Sequence, residues 1–291
     1  MTSAESEIGG AFEMLGSSLF QPYRAAFQQR IEPYELKHDI AHLITAAVPV
    51  GSADTNPTRA IGGLSPVDLI NVSDGEILNA LESVPESIGG QRLRELRKQI
   101  RPFLGSIIPT MRDSVGFLMS VLDEDNKEEK GRFQQLYARE LRLRPVVDFY
   151  EGKLTINGHH TDGYDIMVDG VLFIILHNLS KNIQIHGEDF DEGIDGEDDF
   201  NFFGAVDYNT RNDSWTVLNT STSVDPDKVD NLFDLETARL GLLTARMYAA
   251  LLGKDLTIDV SEVPKVHRRL LRRRPQSPQY LVEFQLSPLS L

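Results

Sequence analysis

Over much of the first 130 residues the apolar positions recur at steps of three and four, the period of a helix with one buried face. Leu93, Leu96, Ile100, Leu104, Ile107, Met111, Val115, Leu118 and Leu122 form one such stripe and predict a long amphipathic helix. Pro102 and Pro109 fall inside it, so a kink or a division into two shorter helices is expected. Ahead of it, 48–69 is rich in Gly, Pro, Ser and Asn and reads as a long irregular connection. A helix, a long connection and a returning helix is the expected layout of a helical domain over 1–130.

From about residue 150 the pattern changes. Short alternating runs at 153–157, 202–209, 214–219, 256–260 and 280–286 predict strands, and Asn-Thr-Arg-Asn-Asp at 209–213 predicts a hairpin between the second and third. Two apolar segments, 168–185 and 235–253, predict helices, the latter ending at Gly253 as a C-cap would. The charge run 123–131 reads as a connector, with a helix over 132–144 after it. The expected fold is therefore α+β, with a second domain over 131–291.

Charge changes what partners are expected. Lys and Arg number 29 against 44 Asp and Glu, a net charge of −15, which disfavours binding to nucleic acid backbones and anionic lipid. Cysteine is absent, which excludes disulfides, thiolate metal sites and a Cys nucleophile. No stretch reaches the roughly 18 apolar residues of a membrane span, and the first residues lack the basic and apolar regions of a signal peptide. A cytoplasmic location without membrane contact is expected.

The first candidate for chemistry is His38, followed by Asp39, on a helix that Pro33 is suited to begin. Leu36, Ile40, Leu43, Ile44 and Ala47 share one face, which leaves His38 and His42 on the other. An exposed imidazole beside a carboxylate is a competent nucleophile, and two ordinary surface histidines would give the same pattern. A metal phosphohydrolase using His38, Asp39 and His42 lacks an identifiable remaining ligand set. The second candidate is the pair Asn178 and Asn182, four apart on one helix face, where two carboxamide oxygens can converge on a hard cation. His159 and His160 read as exposed turn residues. The acidic run 188–199 reads as a solvated insertion, and the basic run 265–274 as a solvated loop or as a site for an acidic partner or for the acidic run itself.

Taken in order, these features resemble the core of two-component sensor histidine kinases. Asp169, Gly170, Leu176, Asn178, Leu179 and Asn182 are similar to the family's N-box, and 215–224 to the strand and loop of its first glycine box. Asn231 to Asp234 resembles the phenylalanine box, and 240–260 the second glycine box with its helix and following strand. The resemblance implies an N-terminal helical hairpin that forms a dimeric four-helix bundle, followed by an α/β sandwich of the histidine kinase and Hsp90-like ATPase type. It implies ATP and Mg2+ as ligands, with Asn182 holding the metal and Asn178, Asn219 and Gly241 lining the nucleotide pocket. It also implies a phosphoryl group on His38, a response-regulator receiver domain as partner, and a homodimer.

Several positions depart from the family. Asn219 stands where an acidic residue reads the adenine amino group, Ser221 and Ser223 replace glycines, and Thr237 and Arg239 occupy further glycine positions. Phe233 and Leu240 are too close in sequence to leave length for a nucleotide lid. Leu43 stands where a proline usually follows the phospho-acceptor. A degenerate ATP pocket is expected, with His38 accepting or relaying phosphate. A pseudokinase scaffold without phosphoryl chemistry and an intact ATP-dependent kinase are the competing expectations.

Overall fold

A computed structural model describes residues 3–30, 109–122, 128–150, 152–161, 164–186, 204–221, 240–262 and 280–289, together with 224, 229, 232, 234 and 235. Contacts divide the chain into two compact units, one made of Met1–Tyr23 with Glu140–Leu291 and the other of Arg24–Arg139. The N-terminal segment thus belongs with the sheet unit rather than with the helical residues that follow it.

The helical unit contains most of α2 (Gln21–Arg30), α3 (residues 109–122) and α4 (Glu129–Tyr137). Its described core includes Phe27, Val115, Phe117, Leu118, Val121, Phe133 and Leu136. Phe117 and Phe133 pack with ring centroids 5.5 Å apart. Arg24 donates to the Val121 carbonyl (2.6 Å) and to the Glu129 carboxylate (2.7 Å), tying the three helices together. Of the stripe read from the sequence, Met111, Val115, Leu118 and Leu122 lie on α3, and the rest lies outside the described residues.

The sheet unit begins with α1 (Ser3–Leu15) and a single 3-10 turn, Ser18–Phe20. After the helical unit come β1 (Glu140–Arg142), α5 (Arg144–Phe149), β2 (Lys153–Ile156), β3 (His159–His160), β4 (Met167–Asp169) and α6 (Gly170–His186). Then follow β5 (Gly204–Asn209), β6 (Ser214–Ser221), α7 (Leu240–Leu251), β7 (Lys254–Glu262) and β8 (Tyr280–Pro288). The expected helix over 132–144 is corrected: it ends at Tyr137, and Glu140–Arg142 pairs antiparallel with β4. The reason is local, because from Glu140 to Leu143 exposed and buried residues alternate, which suits a strand and not a helix.

The main sheet has the order β3-β2-β5-β6-β8-β7 and is antiparallel except for β2 beside β5. A parallel pair needs a crossover, and α6 lies within the one that joins β2 to β5. Register puts Leu154, Val206, Val217 and Phe284 side by side across four strands, and all four are buried. The next row, on the opposite side of the sheet, is Thr155, Asp207, Thr216, Gln285 and Thr257, all polar. Thr155 donates to the Asp207 carboxylate at 2.6 Å there. One side of the sheet is therefore apolar and covered. Helix α6 packs on β5 and β6, α7 on β7 and α6, and α5 on β2 and α6. The unit is mixed helix and sheet, α+β. Asn157 and Gly158 turn the chain at φ of 52° and 77° between β2 and β3, so His159 and His160 form a short exposed strand. Among the described residues no helix is long and apolar enough to cross a membrane.

Candidate functional site

Helix α6 carries the site, and its first turn is fixed by Asp169. One oxygen of that carboxylate accepts the amide N–H groups of Val171 and Leu172, both at 2.8 Å, two of the donors a helix start leaves unpaired. Burial pushes the Asp169 carboxyl up to about 6, against the pull of those two bonds, and Glu7 of α1 adds like charge. From Val171 to Leu176 the helix is buried without interruption, as are Leu179 and Ile183.

At Gly204 the helix meets the sheet closely. A Cβ at that position would lie 2.4 Å from the Leu218 carbonyl oxygen and 2.6 Å from the Ile183 side chain. Glycine is required here because any side chain would push α6 off the strand. Asn219 is the cross-strand partner of Gly204, so it stands in the row that faces α6.

Asn178 and Asn182 are half-buried on one side of α6, with the Asn182 amide donating to the Asn178 carbonyl at 3.5 Å. Gly241, in the first turn of α7, lies against the same side: a Cβ there would come to 3.5 Å from the Asn178 carboxamide oxygen. The fold thus brings Asn178, Asn182 and Gly241 together. Asn219 is 1% exposed. Its amide donates to the Thr220 carbonyl at 3.3 Å, and its oxygen has no partner among the described residues. A buried carboxamide oxygen without a donor is costly and marks where an N–H donor would fit. Beside it on β6, Thr220 and Ser221 are also buried.

These donors fit a nucleotide and its magnesium only in part. Two neutral carboxamide oxygens match a hard cation's preference for oxygen, and the acceptor of Asn219 suits an exocyclic amine. Asn219 itself is buried, as are its neighbours Thr220 and Ser221. Among the described residues no group of three or more His, Asp or Glu side chains is placed to hold a metal ion. His38 and Asp39 lie outside the described residues, as do His42, Ser223, Thr237, Arg239, the acidic run 188–199 and the basic run 265–274.

His177, one residue before Asn178, is not singled out by the sequence pattern. Its ring is buried, stacks on Phe173 at a 4° interplanar angle, and lies 3.3 Å through Nδ1 from the Tyr150 hydroxyl. Burial holds it neutral, down to about 3, with Lys181 adding to the effect. The signal was a lone imidazole inside an otherwise apolar run.

No protein-family model matches the chain, and no curated protein matches it in sequence. Among solved structures it is similar to the histidine kinase AdeS of Acinetobacter baumannii, at 13% identity and a TM-score of 0.29, over 77% of this chain and 96% of that one. The functional reading rests instead on the side chains of α6, α7 and β6.

Proposed function

We propose that the chain is a cytoplasmic phosphosignalling protein of the histidine kinase type whose nucleotide cradle has become degenerate. His38, oriented by Asp39, accepts or relays a phosphoryl group to or from an aspartate of a response-regulator receiver domain. In that exchange the imidazole nitrogen attacks phosphorus, the bond from phosphorus to the carboxylate oxygen breaks, and the carboxylate leaves. Two copies of the N-terminal helical hairpin form the dimer.

The observation that carries this reading is the meeting of Asn178, Asn182 and Gly241 beside a strand end where Asn219 is buried. It supports a phosphate-side arrangement kept by α6 and α7 together with a base-side position where a neutral carboxamide is buried. Phosphoryl transfer depends on positioning and charge stabilisation. A site with a buried carboxamide and no carboxylate at 219 is poorly equipped to deliver phosphate from ATP, and ATP with Mg2+ binds weakly or not at all. A carboxyl phosphate on a receiver domain needs no such site.

The test is transfer from a phosphorylated receiver domain of the same cell to the unaltered chain and to His38→Ala. The unaltered chain is expected to gain acid-labile phosphate, and the variant to gain at least 100-fold less. Equal labelling of the two would overturn the reading. The burial of Asn219 equally favours a second reading, a binding module without phosphoryl chemistry, which is selected if neither chain is labelled by any receiver domain that binds it.

A further inference from the structure

The N-terminal segment is held unequally along its length. Helix α1 packs against α7; among its described residues Ala11 and Leu15 are fully buried, while Ile8, Phe12 and Met14 are half-buried. From Glu5 to Gly10 every side chain is exposed or half-buried. Gly9 and Gly10 sit in mid-helix, and a Cβ at either would meet nothing within 4 Å. No close approach therefore requires glycine at these positions. Each glycine nonetheless lowers helix formation about fivefold relative to alanine, and a helix of 13 residues is marginal without docking. Glu7 also brings a negative charge toward the buried Asp169 at the start of α6.

Beyond α1 the chain is held differently. Ser17 donates to the Met14 carbonyl at 2.8 Å, closing the helix end. Phe20 is fully buried, its ring 5.8 Å from that of Tyr23, and the Tyr23 hydroxyl is hydrogen-bonded to Arg246 of α7. One end of this segment is anchored and the other is weak.

We propose that α1 is a strap that docks reversibly on α7 and opens about the turn at Gly16 and Ser17 while Phe20 and Tyr23 stay in place. Opening uncovers part of the helix whose first turn carries Gly241, so the strap is a conformational device acting on the support of the site. It stands whatever chemistry His38 performs.

Native-state amide hydrogen exchange on the full chain tests this. Amides of α1 are expected to exchange at least 100-fold faster than the buried amides of α6. Replacing both glycines, Gly9→Ala with Gly10→Ala, is expected to slow exchange in α1 about 25-fold and leave α6 unchanged. Exchange of α1 and α6 at one common rate in the unaltered chain would overturn the proposal. So would a double variant in which α1 exchange is unchanged, or in which α1 and α6 slow by the same factor.

Discussion

His177 shows how one buried ring makes the fold sensitive to acid. Between the Tyr150 hydroxyl and the face of Phe173 it has no room for hydration, so protonation is resisted down to about pH 3 in the folded chain. The unfolded chain takes up that proton below about 6.5. From there downward the unfolded state binds more protons, and stability falls by about 1.4 kcal/mol for each pH unit until the folded value is reached. His177→Phe removes this proton uptake. Urea unfolding at pH 7.5, 5.5 and 4.5 is expected to show the variant gaining stability relative to the unaltered chain as pH falls, and a difference that stays constant with pH would refute the assignment. The residue was hidden in the sequence because its place in an apolar run predicts burial without saying what the ring touches. Gly204 was hidden likewise, since nothing in Phe-Phe-Gly-Ala reveals a helix lying on the glycine.

At the scale of an element, α6 carries two titrations of opposite sign. The folded value of Asp169 is raised to about 6, so the buried carboxylate destabilises the fold fully above pH 6. That burden fades as pH falls toward the ordinary carboxylate value. Across the interval from about 6 to about 4 the gain at Asp169 offsets the loss at His177, and the unaltered chain is expected to show a nearly flat stability there. Asp169→Asn keeps a good N-cap while removing the charge. It is expected to stabilise the chain at pH 7.5 by on the order of 2 kcal/mol and to unmask the His177 slope below 6. Denaturant midpoints across this range read both effects, and a less stable variant at pH 7.5 would count against the burial argument. The helix was legible in the sequence from its apolar run and its Asp-Gly start. Strands β5 to β8 were legible from their alternation, and α7 from its period and Gly253. The 132–144 segment misled because Leu136, Leu141 and Leu143 are all apolar, yet the steps of five and two between them do not continue a helical face.

For the sheet unit as a whole, the information least available to sequence reasoning is the pairing of its two ends. Helix α1 and helix α7 are more than 200 residues apart, and periodicity within either says nothing of the other. The α+β class, the strands and the meeting of Asn178 with Asn182 follow from local pattern, whereas the approach of Gly241 to Asn178 depends on how α7 settles against α6, and the burial of Asn219 on tertiary packing of the sheet. His38 and Asp39 stand on sequence alone. The N-terminal segment contributes unequally along its length, and that inequality can be measured. Removing residues 1–15 takes away buried Ala11 and Leu15 and half-buried Ile8, Phe12 and Met14, offset by two helix-disfavouring glycines. Truncating Phe20 to alanine leaves a cavity under a fully buried ring, a change that ordinarily costs about 3–5 kcal/mol. Phe20→Ala is therefore expected to lower the thermal midpoint of the sheet unit more than deletion of the fifteen residues before the turn, although it removes far fewer atoms. A deletion more harmful than the point substitution would mean that α1 is as firmly held as the anchor behind it.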